Sequence, residues 1–129
     1  MSKEVWLIRH GESISNANLP TTHPAESELT DKGHRESEYV AEAFTHKPDL
    51  IVVSPYIRAR QTAVPTINRF DPVPVAEWPI YEFSYLHPEK YNGTTGDQRW
   101  PEAMAYWQRM DPQEKEGGEG ESFAAMLAR

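Results

Sequence analysis

Arg9, His10 and Gly11 stand in a row at the point where the apolar run Val5–Ile8 stops. Side by side, these residue types permit a definite chemistry. An arginine offers a planar fork of donors suited to phosphate oxygens, and a neutral imidazole is a competent nucleophile toward phosphorus. Gly11 leaves room for the backbone to approach a ligand closely. A second guanidinium, Arg58, occurs in "SPYIRARQTA" at 54–63, again just past an apolar run. Its neighbour Arg60 lies roughly 200° further around a helix, so the two cannot both face one pocket. Together these residues describe a cradle for an anion with a nucleophile beside it, provided the chain brings the two segments together.

The elements that would do so alternate in the way that builds βαβ units. Val5–Ile8, half of it β-branched, reads as a first strand covered on both faces. A helix follows, with Thr30 as N-cap, Asp31 in the first turn, and Val40, Ala43 and Phe44 at helical spacing before Pro48. Leu50–Val53 is expected as a second buried strand, with Ser54 capping a helix that holds Pro55 in its first turn. Pro65 should kink or end that helix. "VPVAEWPIYEF" reads as a third strand broken by Pro79, and residues 84–96 as a long loop. "PEAMAYWQRM" is then a short helix starting at Pro101, acidic "QEKEGGEGE" a solvated connection, and "SFAAMLAR" a last helix. Trp78, Trp100, Tyr106 and Trp107 are expected to pack in the core or a lid. Both arginine-bearing segments fall at the carboxyl ends of adjacent strands, where helix N-termini add positive partial charge for an anion.

Composition narrows the function. The 129 residues are read as one domain, 1–129. Twenty acidic against thirteen basic residues, a net charge of −7, exclude a nucleic-acid surface, which needs a positive field. With no cysteine there can be neither a disulfide scaffold nor a thiolate metal site, which fits a reducing compartment. The N-terminal apolar run is too short for a signal peptide or a membrane span. A cytoplasmic chain with no nucleic-acid and no membrane partner is the expectation.

The sequence resembles the histidine phosphatase superfamily, the phosphoglycerate-mutase-like family. The resemblance rests on "LIRHGES" with Asn16 close behind, "LTDKG" at 29–33, "SPYIRARQTA" at 54–63 and "GES" at 120–122. These motifs lie in the family's order over most of the chain. What the resemblance implies is an α/β fold, a mainly parallel sheet flanked by helices, no metal and no cofactor, and a mechanism through a phosphohistidine. His10 would be the nucleophile, Arg9 and Arg58 the phosphate clamp, and Gly11 and Asn16 further phosphate contacts, although Asn16 also suits a turn cap. Glu82 in "IYEFSYL" falls where the family places its proton-donating carboxylate; Glu77 and Glu12 are rivals. The implied activity is a phosphomonoester hydrolase acting on a small phosphorylated substrate or a phosphoprotein. A mutase-type phosphotransfer is the alternative, disfavoured because the 84–100 loop holds only Lys90 and Arg99 as cations for a bisphosphate.

One departure from the family pattern matters. Its members carry a second histidine on a later strand, and none of His23, His34, His46 and His87 ends a strand-like run. Phe123, Met126 and Leu127 form an apolar stripe with little left to cover. The expectation is a family member lacking its final strand, the helix after it and the second histidine. Its core is then covered by a second copy in a homo-oligomer, or continues in residues beyond Arg129. A catalytically impaired phosphate-binding protein is the corresponding third function.

Overall fold

In the computed structural model, which describes residues 2–129, helix α1 (Asp31–Ala43) opens where Thr30 accepts a hydrogen bond from the Gly33 amide through its side chain. This is the expected cap, and it satisfies one of the amides a helix start leaves unpaired. The helix ends at Ala43, ahead of Pro48. Strand β1 (Ile51–Val53) then leads through helix α2 (Ile57–Arg69) to strand β2 (Val75–Glu77), which pairs parallel to β1 with Ile51 opposite Val75 and Val53 opposite Glu77. Helices α1 and α2 pack against each other. The result is a βαβ unit in an α/β fold.

Several boundaries differ from expectation for identifiable reasons. The Ser54 hydroxyl accepts from the Tyr56 amide at 3.1 Å, a local turn that delays α2 to Ile57 rather than Pro55. Pro65 does not end α2, which continues to Arg69. Helix α3 (Gly96–Arg109) starts ahead of Pro101 because Thr95 and Gln98 form a reciprocal capping box. Its Pro101 therefore sits inside the helix. The acidic connection is not wholly solvated: it forms a 3₁₀ turn, Glu116–Gly118, whose Glu116 is only 8% exposed. Helix α4 (Phe123–Ala128) follows, capped by the Ser122 hydroxyl.

Val5–Ile8 is the largest correction. It forms no strand, and no backbone hydrogen bond joins it to β1 among the described residues, so the sheet described has two strands. A strand exists only through a partner's ladder of hydrogen bonds, whatever its composition. All four side chains are exposed, Val5 and Leu7 most of all, and Trp6 stacks on Phe44 at 4.5 Å. Phe83, Tyr85, Tyr106, Trp107 and Phe123 form one aromatic cluster, with Tyr85 stacked on buried Tyr106 at 4.7 Å. Trp78 and Trp100 lie outside it and are exposed, contrary to expectation. No helix among the described residues is long and apolar enough to cross a membrane.

Candidate active site

Two glycines set the position of His10. A Cβ on Gly11 would stand 2.5 Å from the Gly33 carbonyl oxygen, and one on Gly33 would collide with the Glu12 carbonyl. Residues 11 and 12 therefore cross the first turn of α1 at a distance only glycines allow. Hydrogen bonds lock the crossing: the Glu12 amide donates to the Glu36 carboxylate at 2.8 Å, and the Thr30 amide to the Glu12 carbonyl at 2.9 Å. From the other side, the Gly11 amide donates to the Thr62 hydroxyl of α2 at 3.1 Å. Arg58, Thr62 and Thr66 are the buried stripe of α2 at i, i+4 and i+8, so the helix face that holds Gly11 also delivers Arg58 to His10.

Arg58 is 6% exposed and fully engaged. Its Nε donates to His10 Nε2 at 3.1 Å, one terminal nitrogen to the Pro24 carbonyl at 2.6 Å, and the other to Glu82 Oε2 at 3.0 Å. Its guanidinium also lies 4.8 Å from the centre of the Tyr56 ring. His10 is half-buried, and its Nδ1 lies 2.7 Å from the Gly11 carbonyl oxygen. A carbonyl only accepts, so Nδ1 carries the proton and Nε2 presents a lone pair. The Nε2 lone pair of the imidazole is thus turned to a guanidinium.

The rival acids are engaged elsewhere. Glu12 accepts from Lys32 and from the Thr30 hydroxyl, and these bonds hold its carboxyl below the usual range, an unsuitable setting for an acid. Glu77 pairs with Arg60 instead. Glu82 is 74% exposed on its side chain and, among the described residues, tethered only by Arg58, so it can move aside for an incoming anion.

Arg58 and Glu82 line an open cleft of about 240 Å³; His10 is not among its lining residues and stands behind Arg58, hydrogen-bonded to it. Arg9 is not among its lining residues; it is exposed and makes no hydrogen bond or ion pair among the described residues. The Asn16 side-chain oxygen, Oδ1, accepts from the Ser13 amide and hydroxyl, the turn-capping geometry. His87 lines the cleft, but its Nδ1 accepts from the Glu89 and Lys90 amides, and no second histidine joins the His10–Arg58 pair among the described residues.

Three supporting residues had no assigned role in the sequence. Gln61 accepts from the Leu29 amide at 2.8 Å, Thr62 holds Gly11, and Tyr56, stacked on Tyr81, bonds Ser84 at 2.8 Å through its hydroxyl. Burial pushes the Tyr56 phenol up, so it stays neutral beside Arg58. The one signal that could have found Thr62 is its i+4 spacing from Arg58.

Residues 5–129 match the sequence model of the histidine phosphatase superfamily (branch 1), and the chain belongs to that family. Among solved structures, it is similar to the alpha-ribazole phosphatase of Shigella flexneri, at 23% identity and a TM-score of 0.70 over 94% of this chain and 60% of that one. It is also similar to a mycobacterial glucosyl-3-phosphoglycerate phosphatase in complex with VO3, at 27% identity and a TM-score of 0.67 over 92% of this chain and 59% of that one. The chain thus spans about 60% of the length of these structures. No curated protein matches it.

Proposed function

We propose that the chain is a phosphomonoesterase that works through a phosphohistidine on His10, and the observation that carries this is the Arg58–His10 pair. An imidazole with its Nδ1 proton fixed on Gly11 presents the Nε2 lone pair where a guanidinium can draw in a phosphate. On entry, the phosphate oxygens take the Arg58 donors now directed at Glu82 and His10. Nε2 then forms its bond to phosphorus as the bond to the leaving oxygen breaks, and the Glu82 carboxyl gives that oxygen its proton. Water attacks the phosphohistidine, the N–P bond breaks, and Glu82 takes the proton back. Membership of the family and the phosphate-ester names of two similar structures support this reading. So does the VO3 held by the mycobacterial relative, a phosphate-like oxyanion. Small phosphate esters or a phosphoprotein, met in the cytoplasm, are the proposed substrates.

A mutase is less well supported, because Lys90 is tied to Glu116 at 3.1 Å and is not available to a second phosphate. A phosphate binder that is phosphorylated but does not turn over is the second reading, favoured by the unengaged Arg9. Incubation with phenyl phosphate separates them. The expected result is released phosphate together with an acid-labile phosphoprotein, both absent in His10→Ala. Labelling without release supports the binder, and labelling that survives His10→Ala overturns the assignment to His10.

A further inference from the structure

Glu82 is carried by residues 79–85, which belong to no helix or strand. Backbone of this kind is fixed only by anchors other than a ladder. They come from "GES" at 120–122 and from Arg129, which take no part in the steps at His10. Gly120 permits the approach, since a Cβ there would stand 2.3 Å from the Tyr85 carbonyl oxygen. Glu121 then grips Ser84 twice: its amide donates to the Ser84 carbonyl at 2.9 Å, and its Oε2 accepts from the Ser84 amide at 3.2 Å. Ser122 caps α4, which returns Arg129 to the same carboxylate. Arg129 donates through Nε to Glu121 Oε1 at 2.6 Å and through Nη2 to Oε2 at 3.1 Å. Its Nη1 also reaches the Pro79 carbonyl at 2.7 Å, and Nη2 the Tyr81 carbonyl at 3.0 Å. One ion pair thus holds the backbone on both sides of Glu82, at Tyr81 before it and at Ser84 after it. The Arg129 and Glu121 side chains are only 17% and 15% exposed. The bond from Arg129, with the Ser84 amide behind it, holds the Glu121 carboxyl below its usual range against the effect of burial.

Resting on the phosphatase reading, we propose that Glu121 and Arg129 are positioning residues for proton transfer, setting where the Glu82 carboxyl can reach. A side chain as exposed as Glu82 is not held by its own packing, so the backbone beneath it decides its range. Transfer to a leaving oxygen needs the two heavy atoms within about 2.6–3.2 Å of each other. A backbone displacement on the order of 1 Å exceeds that tolerance. Arg58 by contrast is built on α2 and makes no hydrogen bond to Glu121 or Arg129 among the described residues, so phosphate binding does not pass through the pair.

The test compares glycerol 2-phosphate, whose leaving oxygen needs a proton, with 4-nitrophenyl phosphate, whose leaving group departs readily, on the full 129-residue chain. Arg129→Gln is expected to lower kcat on glycerol 2-phosphate on the order of tenfold to a hundredfold with KM nearly unchanged, and to affect the nitrophenyl ester far less. Arg129→Lys, a single point donor, restores only part of the loss. Combined with Glu82→Gln, Arg129→Gln widens the gap between the esters no further than Glu82→Gln does alone, because both remove one contribution. Glu121→Gln keeps an acceptor for the Ser84 amide while removing the charge that holds Arg129; it shows the same gap in smaller measure and serves if Arg129→Gln fails to fold. Equal losses on the two esters, the mark of a merely loosened fold, overturn the proposal, as does an unchanged kcat. A gap produced by Glu82→Gln but by neither variant of the pair overturns it while leaving the Glu82 assignment in place. If no ester is hydrolysed, the phosphatase reading fails on its own, and the 13C resonance of the Glu82 carboxyl decides. Arg58→Gln marks the shift of a released Glu82: movement in the same direction in Arg129→Gln supports the positioning role, and a resonance that stays put overturns it.

Discussion

At Arg58 one guanidinium meets His10, Glu82 and the Pro24 carbonyl through three different nitrogens. A lysine keeps the charge but is a single point donor that cannot reproduce this division. Arg58→Lys is therefore expected to lower kcat/KM by roughly 10²–10³-fold, the size of loss seen when one preorganised donor is removed, measured by phosphate release. Glu82 separates two roles that one mutation would otherwise confuse. If it protonates the leaving oxygen, Glu82→Gln should slow an alkyl phosphate by about 10²–10⁴-fold and a nitrophenyl phosphate, which leaves readily, far less. Equal losses on both would show that Glu82 acts only by holding Arg58.

At the scale of elements, the contact between the 10–12 segment and α1 makes an unusual prediction about Gly33. Glycine inside a helix normally costs about 1 kcal/mol relative to alanine, so Gly33→Ala would ordinarily stabilise. Here the new Cβ meets the Glu12 carbonyl, and forcing the segments apart should cost about 1–3 kcal/mol, seen as a lower urea midpoint. The loop that lines the cleft depends on a different residue. Burial alone would raise the Glu116 carboxyl, but the Tyr91 hydroxyl at 2.7 Å, the His87 amide at 2.8 Å and Lys90 together hold it below its usual range. A carboxylate depressed in the folded state stabilises the fold above its unfolded pKa, and the gain is lost as pH falls through the folded value. Glu116→Ala should thus cost about 1–3 kcal/mol at pH 7, and the urea midpoints of wild type and variant should converge below about pH 4. Such dependence explains which parts of the molecule were legible in its residues. Thr30, β1 and β2 follow local rules and were readable, as was the meeting of the His10–Gly11 segment with the Arg58 helix, while Arg9 stands outside the cleft. Glu116 sits in a stretch whose composition reads as solvated, and only its distant partners bury it. Thr95 and Gln98 carry a capping signal that the nearby Pro101 masks. Gln61 and Tyr56 act across tertiary contacts, which no local pattern encodes.

For the whole molecule, the question is how the apolar surface around the N-terminal run behaves in water. Val5 and Leu7 are 76% and 95% exposed, and Leu50, Val75, Trp78 and Ile80 are exposed as well. Covering such side chains is worth roughly 1.5–3 kcal/mol each, so burying even a few outweighs most surface electrostatics. The net charge of −7 opposes association, but only over distances that salt screens, about 8 Å at physiological ionic strength. The two effects therefore predict a specific signature: the 129-residue chain self-associates, and does so more strongly as salt rises. Sedimentation velocity across a salt series reads this directly, and Leu7→Glu, which places a charge on the most exposed of these residues, should return the chain to monomer. A chain that stays monomeric at high salt, or an association that weakens as salt is added, would mean that charge pairs rather than hydrocarbon govern this face.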